Sequence, residues 1–248
     1  IMEMLSHRDS PPYQTFDYIG QFAQKIKDSH HSAYQPRITR QTLAQGVEMT
    51  LLEPPCGSNI CLLQTPQGIV CIDGGFTCFQ NETLSFIRQA IPDFDKQKKI
   101  FLLTHADVDH CGIAACFDTV YLSDTCFENF AREHHRQDNL REENPLHAPY
   151  VRISKLLTGY KPPAMQTLRP IGRKKTEALL EHIATISIFS LQFDAYEGAG
   201  GHVKGETIWI ERTLRLAFTG DLFVNLKAFT PQQASFNRLA PYLMTCVD

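Results

Sequence analysis

The chain has 248 residues, 43% of them hydrophobic and 21% charged, with a formal net charge of -3. That balance belongs to a folded globular protein with room for one large α/β domain, and it excludes an intrinsically disordered chain. Slight acidity gives no bulk attraction to nucleic acid or anionic membranes, no run is long and apolar enough to cross a bilayer, and residues 1–24 lack the apolar centre of a signal peptide, so a cytoplasmic location is expected.

Residues 1–45 read as an N-terminal extension with one amphipathic helix. After the turn-rich Asp9-Ser10-Pro11-Pro12, the residues Phe16, Ile19, Phe22 and Ile26 recur at helical spacing. Residues 46–248 read as the main domain. It opens with short β runs, Val47 to Leu52, Asn59 to Gln64 and Ile69 to Asp73, the last two joined by the turn sequence Thr65-Pro66-Gln67-Gly68. A helix over Glu82 to Ile91 stops at Pro92, and a strand over Lys99 to Thr104 follows. After a strand at Thr119 to Leu122 comes a polar helical region, Asp124 to Asn144, and a stretch with Pro and Lys up to Pro163. Residues 123–165 therefore read as an insert placed to act as a lid. The spacing then predicts a helix over Lys174 to His182, a strand over Ile186 to Phe193, and a glycine-rich loop from Glu197 to Gly201. Strands at Thr207 to Glu211 and Leu214 to Thr219 flank a tight turn at Arg212-Thr213, before a helix at Pro231 to Leu239 and an apolar run at Pro241 to Val247. Alternating strand and helix patterns predict an α/β fold. The eight cysteines form no CxxC pair and sit mostly in apolar runs, which predicts buried thiols in place of a zinc ribbon or a disulfide framework.

The densest chemistry lies in His105-Ala106-Asp107-Val108-Asp109-His110, where four candidate metal ligands fall within six positions directly after an apolar strand. An extended chain would project His105, Asp107 and Asp109 to one side and turn His110 away at the start of a helix, a layout able to surround two ions. Imidazole and carboxylate suit zinc, iron or manganese, and an ion with an open position lowers the pKa of bound water toward neutrality. The glycine-rich stretch before His202 lacks the Gly-Lys-Ser/Thr ending of a phosphate loop, so it reads as a close backbone approach. His134 and His135 lie among Arg132, Glu133, Arg136 and Asp138 and read as a solvated helix face.

In these residues the sequence resembles the metallo-β-lactamase superfamily, whose signature is His-x-His-x-Asp-His after a strand of an αββα sandwich. Asp107 stands at the second histidine's position, which is similar to the flavodiiron branch, where a carboxylate takes that place. Three further motifs occur in the family's order: Ile69-Val70-Cys71-Ile72-Asp73-Gly74-Gly75, Gly201-His202-Val203-Lys204-Gly205 and Phe218-Thr219-Gly220-Asp221. Together they span roughly residues 47 to 225, and four ordered motifs weigh more than any one alone.

The resemblance implies an αββα sandwich with a dinuclear metal site. His105, Asp107 and His202 would hold the first ion, Asp109 and His110 the second, and Asp221 would bridge them. A metal-bound hydroxide would be the nucleophile, with Asp109 as the catalytic residue that orients it or takes up a proton. Asp73 would support the ligands from behind. Lys204, in place of the family's usual proline, reads either as a contact to an anionic substrate or as an exposed loop lysine. One or two divalent ions are implied, zinc first, with the added charge of Asp107 favouring iron or manganese. The implied function is hydrolysis of an ester, thioester, lactone, amide or phosphodiester bond in a small-molecule substrate. Two alternatives stand beside it: a di-iron redox protein reducing oxygen or nitric oxide with a separate electron donor, and a non-catalytic metal-stabilised binding module. The family's last metal ligand is a histidine on a strand after the bridging aspartate, and no histidine follows His202. Either the chain is a piece of a longer protein, lacking the fold's closing strand and helix, or the second position is held by Asp109, His110 and Asp221 alone. In the latter case it should bind more weakly than the first.

Overall fold

Strands that are apolar at every position need cover on both faces, and the central runs of this chain are of that kind. β3 (Ile60–Thr65) and β4 (Gly68–Ile72) are buried at all but one position. In the computed structural model, which describes residues 12–145, 148–224, 230–231 and 233–234, they lie inside a seven-stranded sheet. Its order is β1 (Arg37–Thr42), β2 (Glu48–Glu53), β3, β4, β5 (Lys99–Leu102), β6 (Thr119–Leu122) and β7 (Leu168–Pro170). The first four strands form an antiparallel meander, and β4 to β7 run parallel. A second, antiparallel sheet has the order β11 (Leu216–Phe218), β10 (Thr207–Glu211), β9 (Leu191–Gly198), β8 (Leu180–Ile188).

Side chains alternate along a strand, so one sheet serves two cores. Leu63, Val70 and Leu102 meet Phe193, Ala195 and Trp209 of the second sheet. Their neighbours Leu62, Cys71 and Phe101 face the other way, onto Leu84 and Ile87 of helix α2 (Gln80–Ala90) and Cys126 and Phe130 of helix α3 (Asp124–His134). The described residues thus form three layers: helices, the large sheet, and the small sheet. The N-terminal helix α1 (Pro12–Asp28) closes a third cluster, in which Phe22 and Ile26 pack near Phe76 and Phe79. No described helix is long and apolar enough to cross a membrane. Of the eight cysteines, Cys56, Cys61, Cys71, Cys111 and Cys126 are buried free thiols, as expected, and Cys78 and Cys116 are partly buried.

Five sequence expectations change. The strand expected over Ile186 to Phe193 is the end of β8 and the start of β9, joined by a hairpin turn at Phe189-Ser190 in which Phe189 takes a φ of +56°. The 1–45 extension contributes more than a helix, because β1 pairs with β2 at the sheet edge. All six of its residues are exposed, so no apolar alternation marks it. The helix expected over Lys174 to His182 is replaced by irregular chain and the start of β8. Glu177, Ala178, Leu179 and Leu180 favour helix locally, but pairing of Leu180 and Glu181 with Gly198 and Glu197 of β9 overrides that weak preference. The helix expected after His110 is a series of turns with a single 3-10 turn at Ala114–Cys116. Here Gly112 donates its N–H to Gly75 O at 2.8 Å, and a side chain at 112 would lie 2.4 Å from that oxygen. The region 124–144 is helical only to His134, and a further helix α4 (Ala148–Leu157) follows within the insert. The expected helix at Pro231 to Leu239 falls mostly, and the run Pro241 to Val247 wholly, outside the described residues.

Candidate metal centre

Chain segments leaving one end of both sheets bring the site together. Asp73 follows β4, the 105–110 segment follows β5, His202 lies on the β9–β10 loop, and Asp221 follows β11. The sheets are joined here. Thr207 donates its N–H to Thr104 O at 2.8 Å, and the indole N–H of the fully buried Trp209 donates to Leu103 O at 3.0 Å.

Asp73 organises the floor. Its Oδ1 accepts the Thr104 N–H at 2.9 Å, while Oδ2 accepts the Thr104 hydroxyl at 2.8 Å and lies 2.9 Å from His110 Nδ1. Thr104 Oγ1 is in turn 3.0 Å from His105 Nδ1. With the Nδ1 of each histidine engaged from behind, the Nε2 of each is left to face the site. Both Nε2 atoms are buried, and among the described residues neither has a hydrogen-bond partner. His105 is fully buried and its ring centroid lies 3.9 Å from that of His110 and 5.0 Å from that of His202.

Around these nitrogens stand carboxylates at distances too long for hydrogen bonds. His105 Nε2 is 3.7 Å from Asp107 Oδ2; His110 Nε2 is 3.7 Å from Asp109 Oδ2 and 3.6 Å from Asp221 Oδ1; His202 Nε2 is 3.5 Å from Asp221 Oδ2. Ligand atoms each bound to one tetrahedral zinc lie about 3.3–3.5 Å apart, so these spacings fit donors that share an ion. Atoms of His105, His202 and Asp221 lie within 4.8 Å of one another. Asp221 reaches both His202 and His110 with different oxygens, the arrangement a bridging carboxylate needs.

The electrostatics follow from burial and charge. Burial opposes ionisation of Asp107, yet the Arg141 guanidinium, with His105 and His202, holds its carboxyl well below the usual range. Asp221 is likewise held down, against burial, by His110, His105 and His202. Burial disfavours the imidazolium of His110, but Asp109, Asp73 and Asp221 outweigh it and push His110 well up. These shifts describe the protein without metal.

Every sequence-predicted residue except Lys204 lies in this cluster. His105, Asp107, Asp109, His110, His202 and Asp221 surround the site, and Asp73 lies behind it. Asp109 departs from the expected alternation: it sits in a turn closed by His110 N–H to Asp107 O at 3.2 Å, and accepts a hydrogen bond from the Ser58 hydroxyl. Lys204 is exposed on its loop. His134 and His135 bond to the carbonyls of Pro163 and Ala131.

Two members of the site escape sequence reasoning. Glu206, fully buried, accepts the Asp221 N–H at 2.6 Å and lies 3.6 Å from His105 Nδ1; burial raises its pKa against the pull of His105 and His202. Its position four residues after His202, at the head of an apolar strand, was the available signal. Arg141, from the insert, places Nη1 2.9 Å from Asp107 Oδ2 and Nη2 3.2 Å from His202 Nε2. It looked like one charge in a polar helix.

No protein-family model and no curated protein sequence matches the chain. Among solved structures it is similar to a metallo-β-lactamase from Cronobacter sakazakii with an HARLDQ motif, at 18% identity over 81% of this chain and 74% of that one, TM-score 0.49. It is also similar to the Rm3 metallo-β-lactamase, at 14% identity over 79% and 69% of the two chains, TM-score 0.43. A flavo-di-iron protein from Thermotoga maritima is similar at 12% identity, TM-score 0.42; 73% of this chain spans 40% of that one. With its helices on one face of a large mixed sheet, a second sheet on the other, and the four sequence motifs gathered at one end of both, the described chain has the mixed α/β, two-sheet architecture expected of a metallo-β-lactamase fold.

Proposed function

We propose that the chain is a metal-dependent hydrolase acting on an ester, thioester, lactone, amide or phosphodiester bond of a small molecule. The observation that carries this reading is the pair of buried, unpartnered imidazole nitrogens, His105 Nε2 and His110 Nε2, facing the carboxylates of Asp107, Asp109 and Asp221. A buried polar atom without a partner costs about 1–3 kcal/mol, and an ion shared with those carboxylates removes the cost. His105, Asp107 and His202 would hold one divalent ion, Asp109 and His110 another, and Asp221 both. Zinc is the first choice and iron or manganese the next. Such an ion supplies Lewis acidity and a nucleophile derived from water at neutral pH.

The chain's own residues do the rest. Asp73 fixes His110 with Nδ1 protonated and, through Thr104, steadies His105. Asp109, which accepts a hydrogen bond from the Ser58 hydroxyl, would take up or return a proton. The insert brings Arg141 against the site and so contributes to its wall.

The test joins composition to activity. Protein purified without added metal, then loaded with zinc, iron or manganese, is assayed on a panel of the five bond types. The reading expects turnover of at least one class that disappears with chelator and in Asp109→Asn. Metal-loaded protein inert on all five, with an absorption band of a di-iron centre, would support the redox alternative.

A further inference from the structure

Arg141 is held in place by more than its own contacts. Asn139 Oδ1 accepts the backbone N–H groups of Arg141 and Glu142 at 3.0 and 2.9 Å, so the turn after α3 is closed on itself. The Glu142 carboxylate, 6% exposed, accepts the Asn139 N–H and pairs with Lys155 Nζ of α4 at 2.8 Å. Lys155 also lies 2.8 Å from Glu133 Oε1 of α3. This buried network clamps the two helices of the insert around the turn that carries Arg141. Its guanidinium is itself only 10% exposed, and Nη2 adds a hydrogen bond to His202 O at 3.2 Å.

We propose that Arg141 is a built-in counter-ion for the first metal position, so that the chain holds one divalent ion tightly at Asp109, His110 and Asp221 and a second only when Arg141 withdraws. The inference rests on the metal-centre reading above. Imidazole Nε2 has a single lone pair. Arg141 Nη2 lies 3.2 Å from His202 Nε2 and Arg141 Nη1 pairs with Asp107 Oδ2 at 2.9 Å, so two of the first position's ligands already face the guanidinium and only His105 Nε2 is left without a partner there among the described residues. At the second position His110 Nε2 is without a partner among the described residues and faces the carboxylates of Asp109 and Asp221. A guanidinium stays protonated throughout the accessible pH range, so its charge is a permanent opponent of a cation on the same two residues. This reverses the order of affinities expected from the number of ligands alone.

The test counts zinc by equilibrium dialysis, after chelator treatment, in the wild-type protein, Arg141→Gln and Arg141→Ala. The wild-type protein is expected to take one zinc tightly and a second much more weakly. In both variants the second zinc should bind about 30-fold tighter, the repulsion between a unit charge and a divalent ion about 4 Å away even at water's dielectric constant. Should the Arg141 variants fail to fold, Arg141→Lys keeps a charge for the buried Asp107 but loses the fork that also reaches His202, and should strengthen the second zinc severalfold. Two equally tight zinc ions in the wild-type protein, or an unchanged second zinc in folded variants, would overturn the counter-ion role while leaving the metal centre standing. No zinc in any of the proteins would remove the centre, and the inference with it.

Discussion

Asp73→Asn changes one oxygen for an NH2 group, and the structure says which bond that breaks. Oδ1 of the asparagine can still accept the Thr104 N–H, but the atom replacing Oδ2 is a donor facing His110 Nδ1, 2.9 Å away. Two donors cannot share that contact, so the metal-bound protein loses the acceptor that keeps the His110 proton on Nδ1 and leaves Nε2 for the ion, and the Thr104 hydroxyl loses its acceptor as well. Hydrogen bonds to a charged group contribute about 1.5–3 kcal/mol, which bounds the loss of stability in the metal-free protein. The larger effect is on metal: losing a partner that orients a ligand histidine costs about 10–100-fold in affinity. Chelator competition measures that loss, and nitrogen-15 NMR of labelled histidine reads the tautomer directly. Asp73→Asn protein with wild-type zinc affinity and His110 still protonated at Nδ1 would refute the reasoning.

Gly220→Ala should destabilise the fold by about 2–4 kcal/mol in urea titrations, because φ is +54° and the new carbon would lie 2.7 Å from Glu206 Oε1 and 2.9 Å from Thr104 Oγ1. The metal-free protein should be most stable between about pH 4 and 6.5. The lowered carboxyls of Asp107 and Asp221 contribute fully above their unfolded pKa and lose that as pH falls through the folded values. The raised His110 contributes fully below its unfolded pKa and loses that as pH rises through its folded value, while Glu206, raised by burial from 4.5, begins to lose from that unfolded pKa upward, so the maximum lies toward the acid end of the window. Urea midpoints in chelator check this; a steady climb to pH 8 would contradict it. Free zinc at a hundred times its dissociation constant should add about 2.7 kcal/mol, raising the melting temperature by roughly 5–10 °C in a thermal scan.

The candidate ligand set was legible because its chemistry is carried by residue type and position relative to a strand. Four of its members lie within six residues, and His202 and Asp221 each sit beside glycines that fix a loop. The sheets were legible where strands are buried on a face, as in β3, β4 and β10. Where burial gives no pattern the reading failed: β1 is exposed on both faces, and residues 177–180 carry helix-forming types into the start of β8, where Leu180 pairs with Gly198 at the far end of β9. Arg141 was invisible for another reason. A lone arginine has no signature, and its role depends on a turn whose clamp, Glu133, Glu142 and Lys155, is assembled from two helices.

The site gathers Asp73, Asp107, Asp109, Asp221 and Glu206 around three histidines, a collection that stability alone would not favour, since buried charges cost several kcal/mol unless fully paired. The acids divide by what they satisfy. Asp73 and Glu206 accept backbone N–H groups, from Thr104 and Asp221, where the strands end and the ladder no longer supplies an acceptor. They complete the fold as well as the centre. Asp107 and Asp109 accept from side chains, Arg141 and Ser58, and relieve no strand end. Replacing Asp109 should therefore cost the fold little, whereas replacing Asp107 strands the buried Arg141 guanidinium and should cost about 3–5 kcal/mol. In the proposed metal centre both changes also remove a ligand, while Asp73 and Glu206 act on the strand ends behind it.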